Sequence, residues 1–234
     1  SKVIQHQGLL TQCYQLRASK PWCVAVADGV ASSPKAEKAS VAVLEAVHEQ
    51  QQTNPNHPKK LSQIQHDLAQ RLTNSTDTHS SSSTLALVQN GASEGSVTIQ
   101  HLGDSRVYYF SRFKQAWQCL TKDHIYLEEL KAEGIAQADR EYSSIYNMLT
   151  GYFCADWSHE LPYEPPQQHI LSEGDALLLC TDGLHDALES QHWLSPCDMP
   201  SLKDWLVAMQ QQLRAAGAFD NVTMLILRFS YLSE

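Results

Sequence analysis

WCVAVADGVASS, residues 22–33, is the stretch that decides the fold. An apolar run of strand length, residues 23–27, stops at Asp28–Gly29 and is followed by small polar residues. This pattern predicts a buried strand that ends in an exposed, rigidly held carboxylate. The same pattern, an apolar run followed by Asp and Gly, recurs in ALLLCTDG at 176–183. VTIQHLGDSR at 97–106 is a variant in which the glycine precedes the aspartate. Three predicted strands therefore each present an aspartate beside a glycine.

A fourth aspartate, Asp220, precedes the predicted strand 222–229. If that strand runs antiparallel to those ending in Asp28 and Asp182, its first residue lies beside their last ones on one edge of the sheet. Asp104, at a predicted hairpin tip, reaches the same edge. A single Asp-Gly pair is ordinarily a turn, but four acids placed in this way weaken that alternative.

Four converging carboxylates without matching Lys or Arg repel one another at low dielectric, so they require cations. Hard oxygen ligands favour Mg²⁺ or Mn²⁺. Calcium is disfavoured because the acids come from distant strands and no twelve-residue D-x-D-x-D-G loop is present.

The composition bounds the class of protein. With 234 residues, 42% of them hydrophobic, the chain is long enough for a full core, and one domain is expected. The net charge of −9 and the scattered Lys and Arg argue against a nucleic-acid surface. No apolar run approaches the ~18 residues that span a bilayer, and no signal core is evident, which predicts a soluble protein without a membrane partner. The six cysteines include no C-x-x-C pair and are expected to be reduced, which favours a cytoplasmic location, although their even number leaves disulfides open.

The rest of the chain predicts an antiparallel sheet sandwich covered by helices, an α+β fold. Strands are predicted at 8–17 and 23–27, which would pair as a hairpin, and at 84–89. The next three predicted strands, 97–102, 107–110 and 115–120, would form an antiparallel meander. Two more strands are predicted, one that ends in Asp182 and one over 222–229. Helices are predicted from a Ser33 N-cap and Pro34, over 61–72, over 126–133, and from a Ser201–Asp204 capping box to Gly217. Residues 75–83 are expected to be a linker, and 135–166 an irregular, functional or mobile excursion.

Five motifs carry a family resemblance. VADG (26–29), GDSR (103–106), LTKDH (120–124), LLLCTDGL (177–184) and DNVT (220–223) stand in the order found in metal-dependent Ser/Thr protein phosphatases of the type 2C (PPM) family. SST at 82–84 is similar to the family's small-residue strand before GDSR. The chain thus resembles a bacterial-like single-domain member over nearly its whole length.

The resemblance implies a four-layer α-β-β-α sandwich of two antiparallel sheets flanked by helices, in one phosphatase domain over 1–234. It also implies hydrolysis of phosphoserine and phosphothreonine by a water activated at a dinuclear Mn²⁺ or Mg²⁺ centre. The excursion at about 135–166 would be the family's flap beside the active site, a substrate-selecting element. The implied partners of a monomeric enzyme are phosphoSer/phosphoThr proteins, including a cognate bacterial-type Ser/Thr kinase and its targets.

Carried over by position, Asp28 bridges both metals and the Gly29 carbonyl binds one of them. Asp182 and Asp220 hold the other metal, so that Asp28, Asp182 and Asp220 form the implied catalytic set. Asp104 frames a weaker third metal site together with Asp182.

The chain departs from the family near its start. Aligning Leu9–Leu10 with the apolar pair after the family's opening motif puts Lys2 at the phosphate-binding Arg, His6 at the middle residue and Gln7 at the Asp. A lysine attracts phosphate as a point charge without bidentate geometry. Val30–Ala31–Ser32 likewise replaces the usual Met-Gly-Gly or His-Gly-Gly. These departures keep an alternative open: a catalytically weak or inactive member that acts as a phosphoprotein-binding regulator.

The general acid is not assigned by the sequence. Metal-bound water and His185 both remain candidates, and Asp186 is expected to be structural. A cysteine phosphatase is excluded because Cys154 and Cys180 lack the C-x-x-x-x-x-R cradle. A serine hydrolase is disfavoured because Ser32 and Ser33 lack the flanking glycines of a nucleophile elbow.

Overall fold

A computed structural model describes residues 16, 20–73, 75–137, 140, 142–156, 160–162, 164–218 and 220–230. The strands, in chain order, are β1 (Cys23–Val26), β2 (Ser82–Ser83), β3 (Leu85–Asn90), β4 (Ser96–Leu102), β5 (Arg106–Ser111), β6 (Ala116–Cys119), β7 (Phe153–Cys154), β8 (Gln167–Ile170), β9 (Ala176–Cys180) and β10 (Met224–Arg228). The α-helices are α1 (Ala36–Thr53), α2 (Leu61–Leu72), α3 (Tyr126–Ala132), α4 (Asp182–His185) and α5 (Leu202–Ala215). Nearly all of the strand predicted over 8–17, and with it Lys2, His6 and Gln7, lies outside the described residues.

The strands form two four-stranded antiparallel sheets and a small pair. The first sheet has the order β1-β3-β4-β8, the second has the order β10-β9-β5-β6, and β2 pairs with β7. Cys23 of β1 lies opposite Gln89 of β3, and Met224 of β10 lies opposite Cys180 of β9. The predicted antiparallel α+β architecture is confirmed.

Three apolar cores lie between four layers. The side chains between α1, α2 and the first sheet include Ala39, Val43, Ile64, Leu68, Leu85 and Leu87. Those between the two sheets include Val88, Val97, Ile99, Val107, Leu177 and Leu179. Those between the second sheet and α5 include Tyr108, Leu178, Trp205, Met209 and Leu213. The order helix, sheet, sheet, helix is the predicted sandwich, and none of the described helices has the length and apolarity needed to cross a membrane.

The predicted meander is wrong at its first turn. β4 belongs to the first sheet and β5 to the second, so the chain crosses between sheets at residues 103–105, and only β5 and β6 form a hairpin. Gly103 makes the crossing with φ +99°. Both strands are buried on nearly every residue, so no alternation of polar and apolar residues distinguishes a hairpin from a crossing.

The two helix caps inferred from the sequence have different outcomes. α5 begins as predicted, because Ser201 Oγ accepts from the Asp204 amide at 3.1 Å. α1 begins at Ala36 after Lys35, which has φ +48° and provides no side-chain cap, so the predicted Ser33 cap is wrong. Ser33 Oγ instead donates to the Val30 carbonyl at 2.8 Å and accepts from the Ser82 amide at 3.0 Å. The Ser33 hydroxyl therefore holds the loop after β1 rather than the helix.

The Ser/Thr-rich segment and the excursion are more ordered than predicted. Residues 81–84 are buried, and β2 pairs with β7, whose Phe153 and Cys154 are also buried. Among the described residues of the excursion, the large exposed apolar side chains are those of Ile135, Ile145 and Met148. The second half of the excursion is thus anchored in the fold, while its described first half presents apolar side chains to solvent.

Candidate metal centre

Asp28 follows β1, and its backbone is held from both sides by the segment that leads into β3. Its carbonyl accepts from the Thr84 amide and from Ser83 Oγ, each at 2.8 Å. Its amide donates to Thr84 Oγ1 at 3.2 Å. With both backbone groups fixed, the Asp28 carboxylate extends from a rigid support.

Gly29 lies in direct contact with the start of α1. A Cβ at this position would stand 2.3 Å from the Ala36 carbonyl oxygen and 2.8 Å from Ala36 Cβ. Gly29 also forms a β-bridge with Ser83. A side chain larger than hydrogen would therefore separate α1 from the loop that carries Asp28.

Asp182 and Asp220 meet where β9 ends and β10 begins. The Thr181 amide donates to the Thr223 carbonyl at 3.2 Å, which continues the β9–β10 ladder past the strand ends. A Cβ on Gly183 would stand only 2.3 Å from the Asn221 carbonyl oxygen. The antiparallel relation predicted for these two acids is confirmed, but Asp28 belongs to the other sheet, so the common edge is that of the sandwich and not of one sheet.

Asp104 lies at the corner where the chain passes from β4 to β5. Its neighbour Ser105 is buried, with Oγ 2.7 Å from Thr84 Oγ1. The Asp104 carbonyl accepts a hydrogen bond from His185 Nε2 at 3.1 Å. The corner is thus tied both to the Asp28 support and to α4, although it is not the hairpin tip that was predicted.

The four acids act on one another electrostatically, and we call Asp28, Asp104, Asp182 and Asp220 the four-aspartate edge. Burial raises the pKa of Asp28 to about 8, and Asp182, through charge and a hydrogen bond, with Asp220 and Asp104, adds to the effect. Burial and the charges of Asp182 and Asp123 raise the pKa of Asp104 to about 6. Among the described residues, no three of these acids bring carboxylate oxygens within 4.8 Å of one another. The four side chains are therefore spread along the edge and do not form one compact group.

This donor set fits divalent cations. The pKa of Asp28 is raised by burial and by the three other carboxylates. In the described part of the chain, the negative charge around Asp28 is therefore not compensated by a neighbouring positive group. A divalent cation supplies the compensating charge, and carboxylate and carbonyl oxygens are the ligands that Mg²⁺ and Mn²⁺ prefer.

Ser83 and Thr84 of the SST motif and Ser105 of GDSR have structural roles that the sequence does not predict. The sole signal was the small-residue pattern before GDSR, because a serine in a corner carries no spacing that marks a structural role. The phosphate-binding role expected of Lys2 falls outside the described residues.

GDSR and LTKDH are joined by a partly buried ion pair. Arg106 donates from Nε and Nη2 to the two Asp123 oxygens at 2.8 and 2.5 Å, and from Nη1 to the Tyr108 hydroxyl at 3.0 Å. The Asp123 side chain is 7% exposed. Two motifs that are distant in sequence therefore form one support beneath the Asp104 corner.

The chain matches known proteins over most of its length. A family model described as protein phosphatase 2C matches residues 6–225. No curated protein matches the chain significantly by sequence. Among solved structures, the serine/threonine phosphatase PstP/Ppp of Mycobacterium tuberculosis is similar at TM-score 0.73 and 21% identity, covering 89% of this chain and 88% of that one.

Two further structures share the fold. Serine/threonine phosphatase Stp1 from Staphylococcus aureus is similar at TM-score 0.70 and 20% identity, covering 88% of this chain and 82% of that one. The catalytic domain of PstP in complex with two manganese ions is similar at TM-score 0.66 and 21% identity, covering 87% and 86%.

Proposed function

Because the chain belongs to the protein phosphatase 2C family, we propose that the four-aspartate edge is the active centre of a metal-dependent protein serine/threonine phosphatase. The observation that carries the proposal is the convergence of the four acids: burial raises the pKa of Asp28 to about 8, and the charges of Asp182, Asp220 and Asp104 add to the effect. Nothing else in the described part of the chain gathers so much uncompensated negative charge around one carboxylate.

The residues that would hold the cations are those of the four-aspartate edge and Gly29. We assign Asp28 to both ions, the Gly29 carbonyl to one of them, and Asp182 and Asp220 to the other, with Asp104 and Asp182 at a weaker third position. When bound, Mn²⁺ or Mg²⁺ supplies Lewis acidity and an activated water for in-line attack on the phosphorus of a phosphoserine or phosphothreonine.

Two of the acids have one oxygen fixed by their own backbone. Asp182 Oδ1 accepts from the Gly183 amide at 2.8 Å, and Asp220 Oδ1 accepts from the Asn221 amide at 2.7 Å. Each carboxylate therefore keeps its second oxygen for another partner. Preorganised carboxylates need little reorganisation to receive a cation, which favours binding.

His185 is a positioning residue in this proposal and not the general acid. Its Nε2 faces the Asp104 carbonyl, which only accepts, so the Nε2 hydrogen is already committed. Its Nδ1 is 3.1 Å from Asp186 Oδ1, and this contact holds the pKa of Asp186 below its ordinary value. Both ring nitrogens thus serve the fold, and proton delivery to the leaving oxygen falls to another group.

The substrates are phosphoproteins, and we propose that they include a cognate bacterial-type Ser/Thr kinase and that kinase's targets. The exposed side chains of Ile135, Ile145 and Met148 would contact residues flanking the phosphorylated side chain. The regulator alternative was motivated by His6 and Gln7, which lie outside the described residues, and the intact four-aspartate edge favours turnover.

The test is phosphate release from p-nitrophenyl phosphate and from a phosphothreonine peptide, measured with Mn²⁺, with Mg²⁺ and with EDTA. We expect turnover with either metal, none in EDTA, and loss in Asp182→Asn. Asp67→Asn, which changes a partly exposed acid of α2, is the matched control and should retain activity. A protein that is folded but inactive with both metals would overturn the proposal and favour the regulator.

A further inference from the structure

A second cluster of ligand-type side chains lies away from the four-aspartate edge. His101, His124 and Glu164 bring one imidazole nitrogen each and a carboxylate oxygen within 4.8 Å of one another. His101 is in β4, His124 directly precedes the segment that begins with Ile125 and α3, and Glu164 lies shortly before β8. The cluster therefore joins the C-terminal end of the excursion, at Glu164, to the first sheet and to the segment before α3.

The hydrogen bonds of His101 define which of its nitrogens is free. Nε2 lies 2.7 Å from the Lys122 carbonyl oxygen, which can only accept, so Nε2 carries the hydrogen. In the neutral ring Nδ1 then bears a lone pair, and it faces Glu164 Oε2 at 3.8 Å. The His101 side chain is 8% exposed. A buried imidazole lone pair thus faces a carboxylate.

His124 has the opposite arrangement. Its Nδ1 accepts from the Gly103 amide at 3.1 Å, so Nε2 carries the hydrogen of the neutral ring. Nε2 is buried, makes no hydrogen bond, and lies 3.4 Å from Glu164 Oε1. Burial and the neighbouring His101 lower the pKa of His124, which favours this neutral form. The ring therefore presents an N–H to one oxygen of Glu164.

Glu164 consequently has one oxygen beside a donor and the other beside a lone pair. The contact with His101 Nδ1 joins two acceptors, and it becomes favourable only with a positive ion between them. Bonds from zinc to imidazole nitrogen and carboxylate oxygen are about 2.0–2.2 Å long, so one ion can bind two ligand atoms 3.8 Å apart.

We propose that His101 Nδ1 and the Glu164 carboxylate bind a zinc-class divalent cation, with the His124 Nε2–H beside the second Glu164 oxygen. The hydrogen bond from His101 Nε2 to a backbone carbonyl is the outer contact that fixes the orientation of metal-binding histidines. A cleft of about 270 Å³ lined by His101, Lys122 and Glu164, among others, admits water to complete the coordination. Lys122 Nζ is 3.7 Å from Glu128 Oε2, which compensates its charge there.

The bound cation would hold the C-terminal end of the excursion against the first sheet. The Glu164 side chain is 45% exposed, whereas those of His101 and His124 are only 8% and 10% exposed. His124 also accepts from the amide of Gly103, the residue before Asp104. Occupancy of this site is therefore expected to restrain the excursion next to the Asp104 corner.

The test is long-range ¹H–¹⁵N NMR of the imidazole rings of the full chain at pH 7.5, titrated with ZnCl₂ or with MgCl₂. Zinc should move the His101 Nδ1 resonance to the metal-bound range, while the His124 resonances show a neutral ring with Nε2 protonated. Mg²⁺ should leave His101 unchanged because it prefers oxygen ligands. These signals report on named rings and do not depend on phosphatase activity or on zinc at the four-aspartate edge.

Variants sharpen the outcome. Glu164→Gln, at a half-exposed position that folding should tolerate, is expected to abolish the zinc-induced shift of the His101 resonance. His124→Gln should raise the zinc concentration needed for that shift by roughly 10-fold. His48→Gln, at a partly exposed histidine of α1, is the matched control and should change nothing. A His101 resonance that follows pH but never zinc would show that the cluster binds only a proton and would overturn the proposal, as would an undiminished shift in Glu164→Gln.

Discussion

Thr84 Oγ1 and Ser105 Oγ lie 2.7 Å apart, and both residues are buried. Thr84 Oγ1 also accepts from the Asp28 amide at 3.2 Å. One hydroxyl pair therefore connects the support of Asp28, in the first sheet, with the corner that carries Asp104. The spacing between these two acids depends on a contact made by neither of them.

Thr84→Val should weaken metal binding without removing a ligand. Valine has nearly the same shape, but it leaves the Asp28 amide and the Ser105 hydroxyl without this partner, at about 1–3 kcal/mol of stability. We expect the Mn²⁺ concentration for half-maximal activity to rise roughly 10-fold, measured by peptide dephosphorylation over a Mn²⁺ series. Thr98→Val, which loses a contact with Gln168 in the first sheet, should lower stability and leave the Mn²⁺ requirement unchanged.

Asp28→Asn should reduce activity more than Asp104→Asn. Asp28 is assigned to both cations of the proposed centre, whereas Asp104 is assigned to the weaker third position. We expect a loss in kcat/KM on the order of 100-fold or more for Asp28→Asn and roughly 10-fold for Asp104→Asn at saturating Mn²⁺. Equal losses in the two variants would contradict the assigned roles.

The metal-free protein should lose stability as pH rises. The pKa of Asp28 is about 8 in the folded chain and about 3.8 in its unperturbed form, so the folded state holds more protons between these values. The stabilisation is fully present below the unfolded value and disappears as pH rises through the folded one. Urea unfolding in EDTA should therefore show a lower midpoint at pH 8.5 than at pH 5.5, and Mn²⁺ should restore the midpoint at pH 8.5.

Two variants separate this effect from the general repulsion in an acidic chain. Asp28→Asn should flatten the pH dependence in EDTA, because the titrating group is gone. Asp67→Asn removes a carboxyl from a partly exposed position away from the four-aspartate edge and should leave the slope unchanged. A steep slope that survives in Asp28→Asn would place the titration elsewhere.

The layers could be predicted because apolar periodicity is a local signal. The strand ends before Asp28, Asp104 and Asp182 could be predicted because an adjacent Asp and Gly mark the end of an apolar run. Asp182 and Asp220 were placed together by the antiparallel relation of β9 and β10, which the register confirms. The crossing at Gly103 could not be predicted, since β4 and β5 are buried on both faces and their pattern is the same in either topology. The role of Thr84 was missed for a related reason: its partners are 56 and 21 residues away, and no local pattern encodes them.

Asp123→Asn should destabilise the fold far more than loss of a surface pair. Arg106 would keep its charge, half-buried, without the carboxylate that holds it, which costs on the order of 3 kcal/mol. Glu128→Gln breaks the more exposed pairs with Lys131 and Lys122, each of which should contribute about 0.5 kcal/mol or less. Urea unfolding of both variants measures the difference, and similar midpoints would show that the Arg106 pair contributes little.

Gly29→Ala should reduce activity although it keeps the backbone carbonyl assigned to a metal. The new Cβ would meet the Ala36 carbonyl oxygen at 2.3 Å, so either the start of α1 or the loop that carries Asp28 must move. Gly134→Ala is the matched control, because its φ of +74° is strained for alanine but its Cβ would meet nothing within 4 Å. We expect Gly134→Ala to cost about 1 kcal/mol in urea unfolding with kcat/KM retained. Gly29→Ala should lose stability and also raise the Mn²⁺ requirement, since the displaced loop positions Asp28. Retention of the wild-type Mn²⁺ requirement in a folded Gly29→Ala protein would show that the contact with α1 does not position Asp28.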